Sequence, residues 1–141
     1  MENEQEKPTT FFRFEDLRIY HKSLDYIDSL YSLAADCQEE KLAKLFFDKF
    51  LASAQGIASN IAEGSSRNKS QFIYYLKMAK SSVRECVVLS TIGQQRAYIN
   101  DEEYDNSKNY LMEMTKMIGA LIGSLQRSVK DSDSESEPVT E

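Results

Sequence analysis

Four long stretches of the chain repeat apolar residues every three to four positions, which is the spacing of an amphipathic helix. We expect the first helix from about Leu17 to Asp36 and the second from about Glu40 to Glu63. The third should run from about Lys69 to Ala97, and the fourth from about Asp101 to Val129. No stretch alternates like a strand, so the pattern predicts an all-α protein, an antiparallel up-down four-helix bundle.

Each predicted helix has an apolar stripe that should face the core. In the first helix the stripe is Leu17, Tyr20, Leu24, Ile27, Leu30, Tyr31 and Ala34. In the second it is Leu42, Leu45, Phe46, Phe50, Ala54, Ile57 and Ile61. In the third it is Phe72, Tyr75, Leu76, Ala79, Val83, Cys86 and Ser90. In the fourth it is Tyr104, Ser107, Leu111, Met114, Ile118, Leu121 and Leu125.

Polar residues and glycine mark the predicted helix ends. Asp16 is a plausible N-cap of the first helix. Asn68 and Asn100 precede the third and fourth helices, and each is followed three residues later by Gln or Glu, as in a capping box. Gly64 suits the position just after the second helix, where a left-handed glycine often ends a helix.

The fourth helix has more apolar residues than one core stripe needs. Tyr110, Met117 and Ile122 lie outside the stripe, and surplus apolar surface on a small bundle predicts a second interface and therefore an oligomer. Gly119 and Gly123, four residues apart, would let another helix approach closely. A contact within the chain explains these two glycines equally well.

The chain of 141 residues is expected to hold one domain between two polar ends. We predict a flexible N-terminus over residues 1–12, the bundle over 13–130 and a disordered acidic tail over 131–141. The tail has five acids, no base and little to bury. One interpretation makes it a solubilising end, and another makes it an acidic mimic that folds over the basic middle of the chain.

Charge is distributed unevenly, although the net charge is −6. Residues 8–130 hold 16 bases and 15 acids, a net of +1, whereas residues 41–100 hold nine bases and three acids, a net of +6. The acidic sum therefore describes the two ends of the chain, and the middle is basic.

The sequence offers few groups for chemistry. His21 is the only histidine, Cys37 and Cys86 have no histidine partner nearby, and the five glycines form no phosphate loop. We therefore expect no catalytic residue, metal site, cofactor or small-molecule substrate. Because no apolar run reaches about 18 residues and the start is acidic, we also expect no membrane span and no signal peptide, hence a cytoplasmic protein with reduced thiols.

Basic residues cluster on one flank of the third helix. On a helical wheel Lys77, Lys80 and Arg84 fall together, and Arg67 and Lys69 extend the run through the preceding turn. Such a flank on helices 2 and 3 is a candidate for binding the phosphate backbone of a nucleic acid. The alternative is an ordinary solvated face with lysines that extend into water.

A second flank, on the second helix, combines Gly56, Asn60 and Glu63. A small residue beside two polar ones suggests a helix packed closely on its neighbour, with Asn60 and Glu63 bonding across. Glu63 and Arg67 are also spaced as an i,i+4 ion pair. A catalytic Glu63 would need a partner base or metal, and none is visible, so we interpret this flank as structural.

Four stretches in colinear order resemble a known family over about residues 12–128. They are Ser59 to Gly64 with Arg67; Phe14 to Leu17 with Tyr20 and Lys22; Phe72, Leu76, Ala79 and Ser82; and Tyr98, Ile99 and Glu102 to Tyr104. Together they resemble the four-helix bundle family encoded in intervening sequences of bacterial 23S rRNA genes, also labelled S23 ribosomal protein. Ala58 stands where that family usually has proline, and Tyr20 where it usually has tryptophan.

The resemblance implies a non-enzymatic bundle that assembles into a homopentameric ring. A relative of the family, the accessory protein of diversity-generating retroelements, is strongly basic, binds nucleic acid and partners a reverse transcriptase. From the resemblance and the basic flank together, we expect an oligomeric protein that contacts structured RNA or DNA. The alternative is a protein-interaction scaffold whose partner is another protein.

Overall fold

The computed structural model describes residues 10–37 and 39–140, with side chains up to Asp131. A 3-10 turn at Arg13–Asp16 leads into α1 (Arg18–Ala35) and α2 (Lys41–Ser65). Two further helices follow, α3 (Lys69–Gln95) and α4 (Asp101–Thr140). These four helices pack against one another, and the described residues contain no strand, so the predicted all-α four-helix bundle is confirmed.

The helices follow one another around the bundle in chain order. α2 packs between α1 and α3, and α4 closes the bundle by packing against both α3 and α1. Gly56 lies beside Ser82, and the more C-terminal Gly64 lies beside the more N-terminal Tyr75, so α2 and α3 are antiparallel. Short turns make this antiparallel arrangement the natural one for consecutive helices.

The core confirms the stripes predicted for the last two helices. On α3 the buried residues include Leu76, Ala79, Val83, Cys86 and Ser90. On α4 they include Ser107, Leu111, Met114 and Ile118. At the centre, the Tyr26 hydroxyl lies 2.7 Å from Ser107 Oγ, which in turn lies 2.7 Å from Ser90 Oγ. This hydrogen-bonded chain joins α1, α3 and α4 and satisfies three polar groups that burial would otherwise leave unpaired.

The predicted stripes of the first two helices are partly wrong. Leu24 and Tyr31 on α1 and Leu42 and Leu45 on α2 are exposed. The buried positions are instead Ile19, Ser23, Tyr26 and Leu30 on α1, and Ala43, Phe47, Phe50, Ala54, Ile57, Ala58 and Ile61 among those on α2. Ser23 can face the core because its hydroxyl donates to the Tyr20 carbonyl oxygen of its own helix.

The helix ends confirm two predicted caps and add one. The side chains of Asn68 and Asn100 accept hydrogen bonds from backbone N–H groups three residues on, and Glu103 returns a bond to the Asn100 N–H. Glu40 caps α2 in the same way. The Asp16 prediction is wrong: Asp16 lies inside the 3-10 turn, and Leu17, which has no side-chain cap bond, precedes α1.

Gly64 does not end α2 as predicted. It lies inside the helix, and no described glycine has a positive φ. The left-handed helix stop occurs at Ala97, with φ of 64°, just after α3. There the N–H groups of Ala97 and Tyr98 bond to the carbonyl oxygens of Gln94 and Gly93, which is the Schellman arrangement.

At both ends of the chain, the structure describes only part of the predicted segments. Residues 1–9 of the predicted flexible N-terminus lie outside the described residues. α4 continues to Thr140, past the predicted end near Val129, and no glycine or proline stands between Val129 and Pro138. Side chains beyond Asp131 are not described, and the predicted disorder of residues 131–141 in solution stays a prediction.

Candidate nucleic-acid interface

Two close approaches identify the flank of α3 that faces α2. A β-carbon built on Gly56 would lie 2.9 Å from Ser82 Oγ, and one built on Gly64 would lie 2.6 Å from Tyr75 Cβ. Ser82 and Tyr75 therefore lie against the backbone of α2. These two contacts show which side of the α3 helical wheel faces α2.

The predicted basic flank lies on the other side of α3. Lys80 and Arg84 are each two residues from Ser82, which places them about 160° around the helix from it at 100° per residue. Lys77 is on the same side, next to α4, which α3 meets through the Ser90–Ser107 hydrogen bond. The assignment of this flank to helices 2 and 3 is therefore wrong, and the bases border α3 and α4.

Acidic residues are scarce along α3 and along the part of α4 that follows Asp105. Between residues 69 and 95, α3 has four bases and one acid, Glu85. Between residues 106 and 130, α4 also has four bases and one acid, Glu113. The Glu113 carboxylate is 2.5 Å from Lys22 Nζ on α1, so it faces away from α3. That hydrogen bond lowers the pKa of Glu113 and keeps the carboxylate charged.

Lys108 on α4 is a member of the interface that the sequence analysis missed. Its Nζ donates to the Tyr104 hydroxyl at 3.0 Å and lies 4.8 Å from the centre of the Tyr104 ring. The bond from Lys108, followed by one from Thr91 on α3, lowers the pKa of Tyr104. Lys108 therefore lies on the α3 side of α4. The depletion of acids over residues 106–130 was the sequence signal for it.

We call Lys77, Lys80, Arg84 and Lys108 the basic face. Lys77 and Arg84 are exposed, and Lys80 and Lys108 are half-buried. Within the described residues none of the four forms an ion pair. Four cationic groups without acidic partners leave a positive potential along the groove between α3 and α4.

Arg67 does not join the other predicted bases. Its guanidinium group lies 2.5 Å from the Glu63 carboxylate and 5.1 Å from the centre of the Tyr75 ring, on the α2 side of α3. The predicted i,i+4 pair with Glu63 is thereby confirmed. The hydrogen bond to Glu63 raises the pKa of Arg67, and the charge of Arg67 is already matched. Lys69, by contrast, lies on the α4 side of α3, where its Nζ donates to Ser128 Oγ at 2.5 Å, eight residues before Lys77.

The flank of α2 that holds Asn60 serves packing rather than chemistry. Asn60 Nδ2 donates to the Gly56 carbonyl oxygen at 2.8 Å, within its own helix. The predicted bond across to a neighbouring helix is therefore wrong. Glu63 likewise pairs with Arg67 and not with another helix. Close contact between α2 and α3 comes instead from Gly64, which is buried.

The surplus apolar surface is not where the sequence predicted it. Tyr110 and Met117 on α4 are half-buried and pack on the core, and Ile122 is buried. The exposed apolar side chains include five on α2 and α3, which we call the apolar seam: Leu42, Leu45, Tyr74, Met78 and Ile92. These five side chains are 39% to 57% exposed. Gly119 has no atom near the position that a β-carbon would occupy.

The described residues contain no group of three or more His, Cys, Asp or Glu side chains placed to hold a metal ion. Cys86 is buried, and burial raises the pKa of its thiol to about 12, which keeps it protonated and unreactive. Cys37 is half-buried, and burial raises its pKa also.

None of the described helices is long and apolar enough to cross a bilayer.

Comparison with known proteins shows to which protein family this bundle belongs. The model of a family described as 23S rRNA-intervening sequence protein matches residues 15–120. The chain belongs to this family. The matched range contains all residues of the basic face and of the apolar seam, and it ends before the acidic residues that follow Lys130.

A solved member of the same S23 ribosomal protein family has a similar fold. It is a protein of unknown function from Bacteroides thetaiotaomicron VPI-5482, with a TM-score of 0.68 and 23% sequence identity. The similarity covers 74% of this chain and 97% of that one. No curated protein sequence matches the chain significantly.

Proposed function

We propose that this chain is a non-enzymatic, nucleic-acid-binding member of the 23S rRNA intervening sequence proteins, acting in the cytoplasm on structured RNA or DNA. The observation that carries the proposal is the basic face. Lys77, Lys80 and Arg84 on α3 and Lys108 on α4 form no ion pair within the described residues, although the chain as a whole is acidic.

A rigid helical surface suits the backbone of a folded nucleic acid. Lys77, Lys80 and Arg84 are three and four residues apart, so successive Cα atoms rise by about 4.5 and 6 Å along the helix. Contacts of this kind bind phosphates without reading the sequence. Four contacts predict that the logarithm of the binding constant falls with that of the salt concentration with a slope of about −3.6.

The test is binding of a structured RNA hairpin by the Lys77→Glu, Lys80→Glu, Arg84→Glu variant. The proposal predicts that binding is lost. A matched control is Lys41→Glu, Lys44→Glu, Lys49→Glu, which changes the net charge equally but alters exposed residues of α2. The control should keep most of the affinity. Equal loss in both variants, or loss in neither, would reject the basic face as the binding site.

A second candidate function is supported by the apolar seam. Exposed apolar groups on two neighbouring helices favour contact with another protein surface, and the resemblance points to a second copy of this chain in a homopentameric ring. A scaffold of this kind has no need for nucleic acid. It predicts a specific protein complex that survives high salt, with no RNA retained at physiological salt.

A further inference from the structure

The C-terminal segment is strongly acidic, so its charge is opposite to that of the basic face. Residues 131–141 contain five acids and no base, a net charge of −5. Up to Thr140 this segment is the end of α4, and it lies beyond residue 120, where the family match ends. Residues 8–130 carry a net charge of +1.

The segment begins near the basic face. Ser128 Oγ accepts the hydrogen bond from Lys69 Nζ, so the last residues of α4 before Asp131 lie beside the first turn of α3. Lys77 and Arg84 lie eight and 15 residues further along α3, at about 12 and 22 Å. Eleven residues in an extended conformation span at most about 35–40 Å, which is enough to cover both.

The backbone of the segment continues α4 to Thr140. In that direction it leads past the start of α3 and away from Lys77. The helix has low intrinsic stability in this segment, because acids near a helix C-terminus interact unfavourably with the helix dipole. Pro138 also lacks an N–H group and its ring clashes with the preceding turn. Unwinding the last turns therefore costs little and releases the acids to fold back.

We propose that the acidic segment 131–141 docks on the basic face of its own chain and competes with nucleic acid there. The acids then act as an internal substitute for phosphates. The competition rests on the proposed function, whereas the contact itself depends only on charge and reach. At the millimolar effective concentrations that a short tether produces, even a weak contact reduces the apparent affinity for RNA by about fivefold.

The first experiment compares RNA-hairpin binding by three forms of the full bundle. One is the complete chain, one ends after Lys130, and one carries Asp131→Asn, Asp133→Asn, Glu135→Gln, Glu137→Gln and Glu141→Gln. We expect the truncated and neutralised forms to bind about fivefold more tightly than the complete chain at low salt, with the difference shrinking as salt screens the contact. A Ser132→Ala, Ser134→Ala, Ser136→Ala control keeps every acid and should bind like the complete chain.

The second experiment detects the contact without RNA, from backbone amide NMR shifts of the complete and neutralised chains. We expect differences at Lys77, Lys80 and Arg84 that vanish at high salt. Identical spectra at these positions, with equal RNA affinity in all forms, would overturn docking while leaving the proposed function intact. Shifts at the basic face with no RNA binding by any form would support docking and reject the proposed function. Shifts that depend on protein concentration would overturn docking within one chain.

Discussion

Gly64 and Tyr75 bring α2 and α3 into contact through the backbone of one helix and the first side-chain carbon of the other. A β-carbon on Gly64 would lie only 2.6 Å from Tyr75 Cβ and 2.9 Å from Phe72 Cδ1. Tyr75 Cβ is bonded to the backbone and cannot move without shifting α3. The glycine at the end of the Ser59–Gly64 stretch is thus needed for its small size, and a positive φ is not the reason for it.

Gly64→Ala should destabilise the bundle by about 1–3 kcal/mol, because the added methyl group forces α2 and α3 apart. The matched control is Gly119→Ala on α4, where no atom lies within 4 Å of the new carbon. That change should stabilise the protein by about 1 kcal/mol through helix propensity alone. Urea unfolding of both variants measures the two effects. Equal behaviour of the two variants would contradict the close approach.

Ala97→Gly should stabilise the protein by about 0.5–1 kcal/mol. Ala97 has φ of 64° at the end of α3, where an L-residue with a β-carbon is strained and glycine is not. Its N–H still bonds to the Gln94 carbonyl oxygen, so the motif itself would be unchanged. Thermal unfolding checks the prediction. A lower melting temperature would show that residue 97 is not left-handed in solution.

Stability should fall as the pH rises above about 8.5. Burial raises the pKa of Cys86 to about 12 and raises that of Tyr26 as well. In the unfolded chain the thiol ionises near 8.5 and the phenol near 10, so the unfolded state releases protons first and is favoured. Each group then lowers the free energy of unfolding by up to about 1.4 kcal/mol per pH unit.

Denaturant unfolding at several pH values under reducing conditions measures this slope. Cys86→Ala should be less stable at neutral pH because it leaves a small cavity, and above about pH 8.5 it should lose the share of the slope that comes from Cys86 and keep the share of Cys37. A variant whose slope between pH 8.5 and 10 equals that of the parent would contradict the burial of the Cys86 thiol.

Leu45→Glu combined with Ile92→Glu should reduce self-association if the apolar seam joins copies of the chain. Charged side chains in a dry interface cost several kcal/mol, so the mass measured in solution should fall to that of one chain. Leu24→Glu on α1 is a control, because Leu24 is as exposed as Ile92 but lies outside the seam. Multi-angle light scattering distinguishes the variants, and an unchanged mass for the double variant would exclude the seam.

Sequence periodicity predicted the helices well where one stripe dominates. On α3 and α4 the core residues Val83, Cys86, Leu111 and Met114 fall on the predicted stripes. On α1 the apolar residues form two overlapping stripes, and the buried one contains Ser23, whose hydroxyl bonds within its own helix. A stripe defined by apolar residues alone omits a buried serine and includes exposed leucines. The predicted stripe therefore lay to one side of the buried face of the helix.

The sequence predicted most of the basic residues of the candidate interface, but it did not predict which helix lies beside them. A helical wheel groups Lys77, Lys80 and Arg84 without saying whether α2 or α4 lies beside them. The handedness of the bundle decides that, and it is visible in the contacts of Ser82 and Ser90. Lys108 belongs to a different helix and joins the group only through the packing of α3 on α4.

The most direct test of the basic face is the salt dependence of RNA-hairpin binding, measured for the parent and the two matched triple variants. The parent should show a log–log slope of about −3.6 for four phosphate contacts. The Lys41, Lys44 and Lys49 reversal should keep that slope, whereas the Lys77, Lys80 and Arg84 reversal should abolish measurable binding. Equal slopes and affinities for all three proteins would contradict the account.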